Sequence, residues 1–227
     1  MSNLYLVGTC HIDPKGPERL QKFLTYVRPD VITIEIDEER AASARQYHAY
    51  AALSLLQNES RYRSFLGDTL FDIFKNISLI YGYEVWASEE YVREHPEVRC
   101  SFVDKRDASK IIKDSAFGGI ENFVKEIMPT SLSDCNTFQD WIDAIYKDPS
   151  RLIGILRMEN PSLFHEVIHN GEILMEGGIR AAYSTAEHAC IHVGGVGHII
   201  GDNYNLYNRL QDCHPHRVTL PELDKFS

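Results

Sequence analysis

Four short apolar runs set the rhythm of this chain: residues 4–10, 31–36, 98–103 and 189–195, with a weaker fifth at 216–220. Each is too short for a helix, is rich in β-branched or aliphatic residues, and is bounded by glycine, proline, aspartate or histidine. Their apolar character is nearly continuous instead of alternating, which fits strands covered on both faces of a sheet. Between the first two runs, Pro17-Glu18-Arg19-Leu20 opens a helix through Val27 and Pro29-Asp30 ends it. That is a β-α-β unit, and right-handed crossover makes its strands parallel. Helical patterns follow from Glu38 to about Gln57 and from about Thr69 to Tyr81. The stretch 107–188 is mostly helical and polar, interrupted at Gly118-Gly119, Pro129, Pro149, Pro161 and Gly177-Gly178; a short helix is predicted at 203–211. The expected fold class is therefore α/β: a central, mostly parallel sheet flanked by helices, with a helical cap or insertion from the middle of the chain. One domain over residues 1–227 accounts for all of it.

Composition narrows the partners. With 227 residues, 44% hydrophobic and 25% charged, the chain is long enough for a sizeable core and ordinary for a soluble protein. A net charge of -10 and the lack of any basic stripe argue against nucleic acid. The five scattered cysteines form no C-x-x-C pair, so a reduced, cytoplasmic setting is expected. No apolar stretch of spanning length and no signal-like start is present, so no membrane segment is expected in this chain. A homo-oligomer stays open.

The chemistry gathers at strand ends. Gly8-Thr9-Cys10-His11 closes the first strand, and Gly195-Val196-Gly197-His198 closes the strand over 189–195. Parallel strands share one carboxyl edge, where ligands bind in open α/β sheets, so two Gly-x-x-His ends place two imidazoles on one rim. Gly8 and Gly195 let the backbone bend and let a substrate approach closely. The competing reading of each histidine is a polar loop residue or a helix cap. Glu35 stands between Ile34 and Ile36. A carboxylate in such a dry setting needs a cation, a metal or a hydrogen-bond donor, unless it simply faces solvent at a frayed strand end. A rival motif, His165-Glu166-Val167-Ile168-His169, has the H-E-x-x-H spacing of a zinc peptidase, with Glu187 or His188 as a third ligand. Asn170-Gly171 directly after it speaks for a surface helix with two solvated histidines.

Four segments in order resemble the TraB/PrgY family. "LVGTCHID" and "RPDVITIEIDEER" are similar to its G-T-x-H strand end and its E-L-D-x-x-R second strand. "YGYEVWASEEYVREHPEVRCSFVDKRD" is similar to its G-x-E-M-x-A-A segment and the strand leading to an Asp-Arg pair. "HVGGVGHIIGD" resembles its closing G-x-G-H-x-x-G. The likeness runs from about residue 4 to residue 201, with no matching motif near 41–80 or 108–175. It implies a site at strand carboxyl ends that includes His11, Glu35, Arg40, Glu84, Asp104, Arg106 and His198. Arg180 with Tyr183 matches a family R-x-x-Y element, although Ile179 stands where that family carries Glu. Lys105 likewise separates Asp104 from Arg106. Without the family match, Glu84 reads as a first-turn acid that favours a helix dipole, and Arg40, Arg106 and Arg180 as surface charges.

The resemblance also implies an activity: hydrolysis of an amide or ester in a peptide or small molecule. His11, Glu35 and His198 are expected to hold a divalent metal, Mn or Co by the Tiki branch of the wider superfamily that TraB shares with the Tiki proteases, the erythromycin-esterase-like proteins and the haem-binding ChaN proteins, with Zn or Fe as the other candidates. Glu84 is the expected general base, an arginine among Arg40, Arg106 and Arg180 the oxyanion partner, and Gly8, Gly195 and Asp104 substrate contacts. A metal-free variant, with His11 as base oriented by Glu35, follows from the esterase branch. A different class follows from the PrgY-like and haem-binding relatives: a non-catalytic binder of a peptide signal or of haem.

Overall fold

The computed structural model describes residues 2–105, 135–149, 170–200 and 205–226. Its centre is a five-stranded, all-parallel sheet: β1 (Asn3–Thr9), β2 (Val31–Ile34), β3 (Arg99–Phe102), β4 (Ala189–Gly195) and β5 (His216–Thr219). The spatial order is β3-β2-β4-β1-β5. The late strand β4 is thus inserted between β1 and β2, with Gly8 opposite Gly194 and Ile34 opposite Val193. This places the carboxyl ends of β1, β4 and β2 side by side.

Both faces of the sheet are covered, as the continuous apolar runs require. On one face Val7, Ile32, Ile34, Ile191 and Val193 pack with Leu20, Phe23 and Leu24 of helix α1 (Gly16–Val27). Pro17 starts that helix, and Arg28 ends it in a left-handed conformation (φ 54°). On the other face Leu4, Leu6, Val31 and Cys190 meet Met175 and Ile179, from the helix Asn170–Tyr183 described below. The alternation of strand side chains assigns these two sets.

The helix that starts at Glu38 outruns its expected end. Helix α2 (Glu38–Leu66) continues past Gln57 because residues 58–66 hold no breaker until Gly67, whose φ is 75°. Arg63 also ties this last turn to Glu59 and, beyond the turn, to Asp68 of α3 (Asp68–Ile80). Gly82 then takes φ 70°, and a Cβ there would lie 2.6 Å from the Ala44 Cβ, so only glycine serves at this crossing. The chain enters α4 (Tyr83–Glu94) directly behind it. Among the described residues, two further helices come from the middle region, α5 (Phe138–Lys147), with a Thr137/Asp140 capping box, and α6 (Asn170–Tyr183). The helix expected at 203–211 is reduced to a short α-turn over Leu206–Arg209 and a 3-10 turn over Gln211–Cys213. Among the described residues no helix is long and apolar enough to cross a membrane.

Candidate functional site

Each of the three central strands delivers one polar side chain to the rim. β1 leads to His11, β2 to Glu35, and β4 to a 3-10 turn, Val196–His198, that ends in His198. Glu35 lies at the middle. Its Oε1 is 2.9 Å from His198 Nε2, and its Oε2 accepts the Gly195 N–H at 2.6 Å. A methyl built on Gly195 would stand 3.2 Å from His11 Nε2, 3.5 Å from Glu35 Oε2 and 3.6 Å from His198 Cδ2, so the two rings approach within about 7 Å. One rim therefore brings together His11, Glu35, His198 and Gly195, as the paired motifs led us to expect.

The outer nitrogen of each ring is tied to a carboxylate. His11 Nδ1 is 2.7 Å from Glu84 Oε1, and the Thr9 hydroxyl is 2.9 Å from the same oxygen. His198 Nδ1 is 3.4 Å from Glu172 Oε1, a long contact from the first turn of α6. Glu84 is thus a buried partner of His11, neither a plain first-turn charge nor a free base. The loop behind His11 is itself anchored. Buried Asp13 accepts from Arg19 and from the Tyr146 hydroxyl, and that hydroxyl in turn accepts the Cys10 N–H.

The two sides of the rim differ in access. The His11 side chain is 57% exposed, while those of His198 and Glu35 are 9% exposed. Burial acts to lower His198, but Glu35 and Glu172 outweigh it and lift the imidazole to about 10. Burial acts to raise Glu35, but His198, His11 and the Gly195 N–H hold it well below the carboxylate range. For His11, loss of water again pulls downward, and Glu84 lifts the ring to about 9. Water screens that pair more strongly, since over half of His11 faces solvent. His192 behaves oppositely: burial pushes it down to about 4, against the pull of Glu35.

A pocket of about 310 Å³ opens beside His11, Glu35 and Glu84. Its walls are Ile34, Ile36, Val85 and Val193, with Tyr81 and Arg40 at its margin. Arg40 is clamped by two acids: its Nε donates to Asp37 Oδ2 at 2.5 Å and its Nη2 to the buried carboxylate of Asp104. Asp104 is therefore a support for Arg40 and not an exposed substrate contact.

Other expected residues lie elsewhere. Gly8 is packed against Val196, where a Cβ would meet the Val196 Cα at 3.2 Å, so it lets the 3-10 turn sit close and does not line the pocket. Arg180 is eight residues beyond Glu172 on α6, about 12 Å further along the axis. There it donates to both oxygens of Asp212 and to Glu176, near the strand starts. This corrects its expected place at the rim: α6 runs antiparallel to the strands, so only its first turn reaches the site. Arg106 and the segment His165–His169 lie outside the described residues.

Two site residues gave no signal in the sequence, Glu172 and His192; Thr9 stood inside the G-T-x-H strand end without a role of its own. His192 pairs with Thr33 across the β2–β4 ladder; its Nδ1 is 3.0 Å from the Thr33 hydroxyl, and its buried Nε2 has no hydrogen-bond partner among the described residues. The donor set suits a divalent transition metal by type, and the 2.9 Å between His198 Nε2 and Glu35 Oε1 is a spacing that neighbouring ligands of one ion adopt at bonds of about 2.1 Å. Among the described residues, no three of His, Cys, Asp or Glu already converge as an ion-enclosing group.

No family model and no solved structure matches the chain. It is similar to an uncharacterized protein of Methanocaldococcus jannaschii, 19% identical over 208 residues. The match covers 88% of this chain and 52% of that protein, so the chain spans about half the length of the curated relative it matches.

Proposed function

We propose that this protein is a metal-dependent hydrolase of the TraB/Tiki type, cleaving an amide or ester at the strand-carboxyl rim. One observation carries the reading: both rim histidines hold a carboxylate at Nδ1 and turn Nε2 toward Glu35 and Gly195. Carboxylate–histidine pairs of this kind orient metal ligands and raise their basicity. His11, Glu35 and His198 would hold the cation, and a bound divalent metal supplies an acidified water and a Lewis acid for the scissile carbonyl.

The remaining residues position and select. Glu84, bonded to His11 Nδ1 and Thr9, fixes the His11 ring, so the general-base role expected of it passes to whichever nucleophile-activating group meets water in the pocket. Arg40, a quarter exposed and held by Asp37 and Asp104, lines the pocket as a hydrogen-bond donor fixed by two carboxylates. The aliphatic walls favour a substrate with an apolar group next to its carbonyl, and the volume holds a short peptide segment or a small ester. Elemental mass spectrometry of the wild type and a His11→Ala/His198→Ala double variant tests this. Stoichiometric metal lost in the double variant, with peptidase or esterase turnover under Mn, Co, Zn or Fe, supports the reading. No metal after reconstitution sinks it.

A second reading, direct base catalysis without metal, is favoured by the solvent-accessible His11 ring braced by Glu84. It predicts turnover that survives exhaustive chelation and falls with His11→Ala.

A further inference from the structure

His192 is buried in the middle of β4, yet one of its ring nitrogens is aimed at the site. A methyl on Gly194 would meet His192 Nε2 at 2.8 Å and Glu35 Oε2 at 2.7 Å, so these two atoms lie within about 5.5 Å of each other across a floor that glycine leaves open. His192 is 0% exposed, and its Nε2 has no hydrogen-bond partner among the described residues. Buried polar atoms in folded proteins are paired with near regularity, so an orphan facing a cluster of charged groups points to a ligand.

The hydrogen positions decide which form of the ring is present. The Thr33 hydroxyl is 3.0 Å from His192 Nδ1 and 3.5 Å from the Ile191 carbonyl. If Nδ1–H donates to Thr33, that hydroxyl passes its own hydrogen to Ile191, and both contacts are used. If instead Thr33 donates to Nδ1, the contact to Ile191 is lost and Nε2–H is buried with no acceptor. The first tautomer leaves Nε2 with a bare lone pair toward Glu35. It also repeats the pattern of His11 and His198, each tied outward at Nδ1.

We infer that His192 supplies a third imidazole nitrogen to the rim cation site, which makes it a nitrogen-rich centre selecting zinc, iron or cobalt over manganese. This rests on the metal reading proposed above. Imidazole suits the later first-row metals, whereas manganese favours oxygen donors. Thr33 is the positioning residue of this ligand, holding its ring through Nδ1 as Glu84 and Glu172 hold the other two.

The test uses the full chain. X-ray absorption of the zinc-loaded wild type counts imidazole scatterers, and three are expected. Cobalt binding followed by its visible absorption should weaken at least about 10-fold in His192→Gln and His192→Leu, with an altered band shape. Circular dichroism checks that each variant is folded. In competition, the wild type should take zinc or cobalt ahead of manganese. Two imidazoles in the wild type, or folded variants with unchanged cobalt affinity and spectrum, overturn the role of His192 while leaving the rim site standing. If the variants do not fold, the scatterer count on the wild type decides alone. A wild type that takes up no metal overturns both this inference and the hydrolase reading beneath it.

Discussion

The two edges of the sheet carry similar charges and use them differently. At the strand starts, Arg180 grips Asp212 and Glu176, Arg209 joins Glu176, and Asp30 accepts the backbone N–H groups of residues 187, 188 and 189. Guanidinium meets carboxylate or backbone there, with solvent beside most of them. At the strand carboxyl ends Arg40 keeps one such guanidinium clasp, but the central groups are imidazoles, Glu35 and His198 are nearly sealed from water, and a pocket lies alongside. Arginine cannot give up its proton, so the first arrangement is a clasp. Imidazole can release a ring proton and offer the bare nitrogen to a metal, so the second can do chemistry.

That contrast breaks most easily at Glu35. Glu35→Gln removes the counter-charge of a buried histidine, an effect of about 3–5 kcal/mol. For a chain of this size the melting temperature should drop by roughly 6–20 °C, with activity or metal uptake abolished. A melt that hardly moves would mean the Glu35–His198 pair is no tighter than the surface pairs at the other edge. Gly195→Ala should follow, since its methyl would crowd His11 Nε2 at 3.2 Å. Turnover should fall by about 100-fold with the fold intact, because small displacements of reacting groups are expensive. Wild-type rates in that variant would show that His11 and Glu35 do not work across Gly195. Glu172→Gln should weaken metal binding by about 10- to 100-fold through His198 alone; isothermal titration reads it, and no change would make Glu172 a bystander.

The pH profile of stability sharpens the same comparison. The raised His198 contributes stability fully below pH ~6.5 and loses it as pH climbs toward its folded value of about 10. His192, depressed to about 4, must stay neutral, so it removes stability as pH falls from ~6.5 toward 4. Glu35 adds its loss below the ordinary carboxylate value. Calorimetric melts should therefore peak near pH ~6.5, and His198→Asn should flatten the alkaline limb. The smallest effect belongs to the clasp: Arg180→Ala should shift the melt by less than about 3 °C and leave turnover unchanged. A large loss of activity there would erase the distinction between the edges.

The strands were readable because buried parallel strands are written as continuous apolar runs; the run at 189–195 matches β4 residue for residue. The rim followed from topology, since any parallel sheet brings Gly-x-x-His ends to one edge. The partners on the outer nitrogens were not readable. Glu172 sits in a polar helical stretch beside Glu176, and nothing local tells a buried acid from an exposed one. His192 reads as part of a strand run, and its importance depends on Thr33 arriving opposite from a distant segment. Arg180 failed for the converse reason: a matching motif places a residue on a helix but does not say how far along the helix the site extends.

The insertion of β4 between β1 and β2 has a consequence in time. β1 and β2 lie close together in sequence, between Asn3 and Ile34, but the strand that joins them starts at residue 189. Their facing edges stay unpaired while the ribosome adds the long segment between Ile34 and Ala189. Long-range pairing of this kind folds slowly and leaves β-edges open to aggregation in the interval. His11 and Glu35 meet His198 only when β4 closes the gap, so the nascent chain carries no assembled rim until β4 itself has been made.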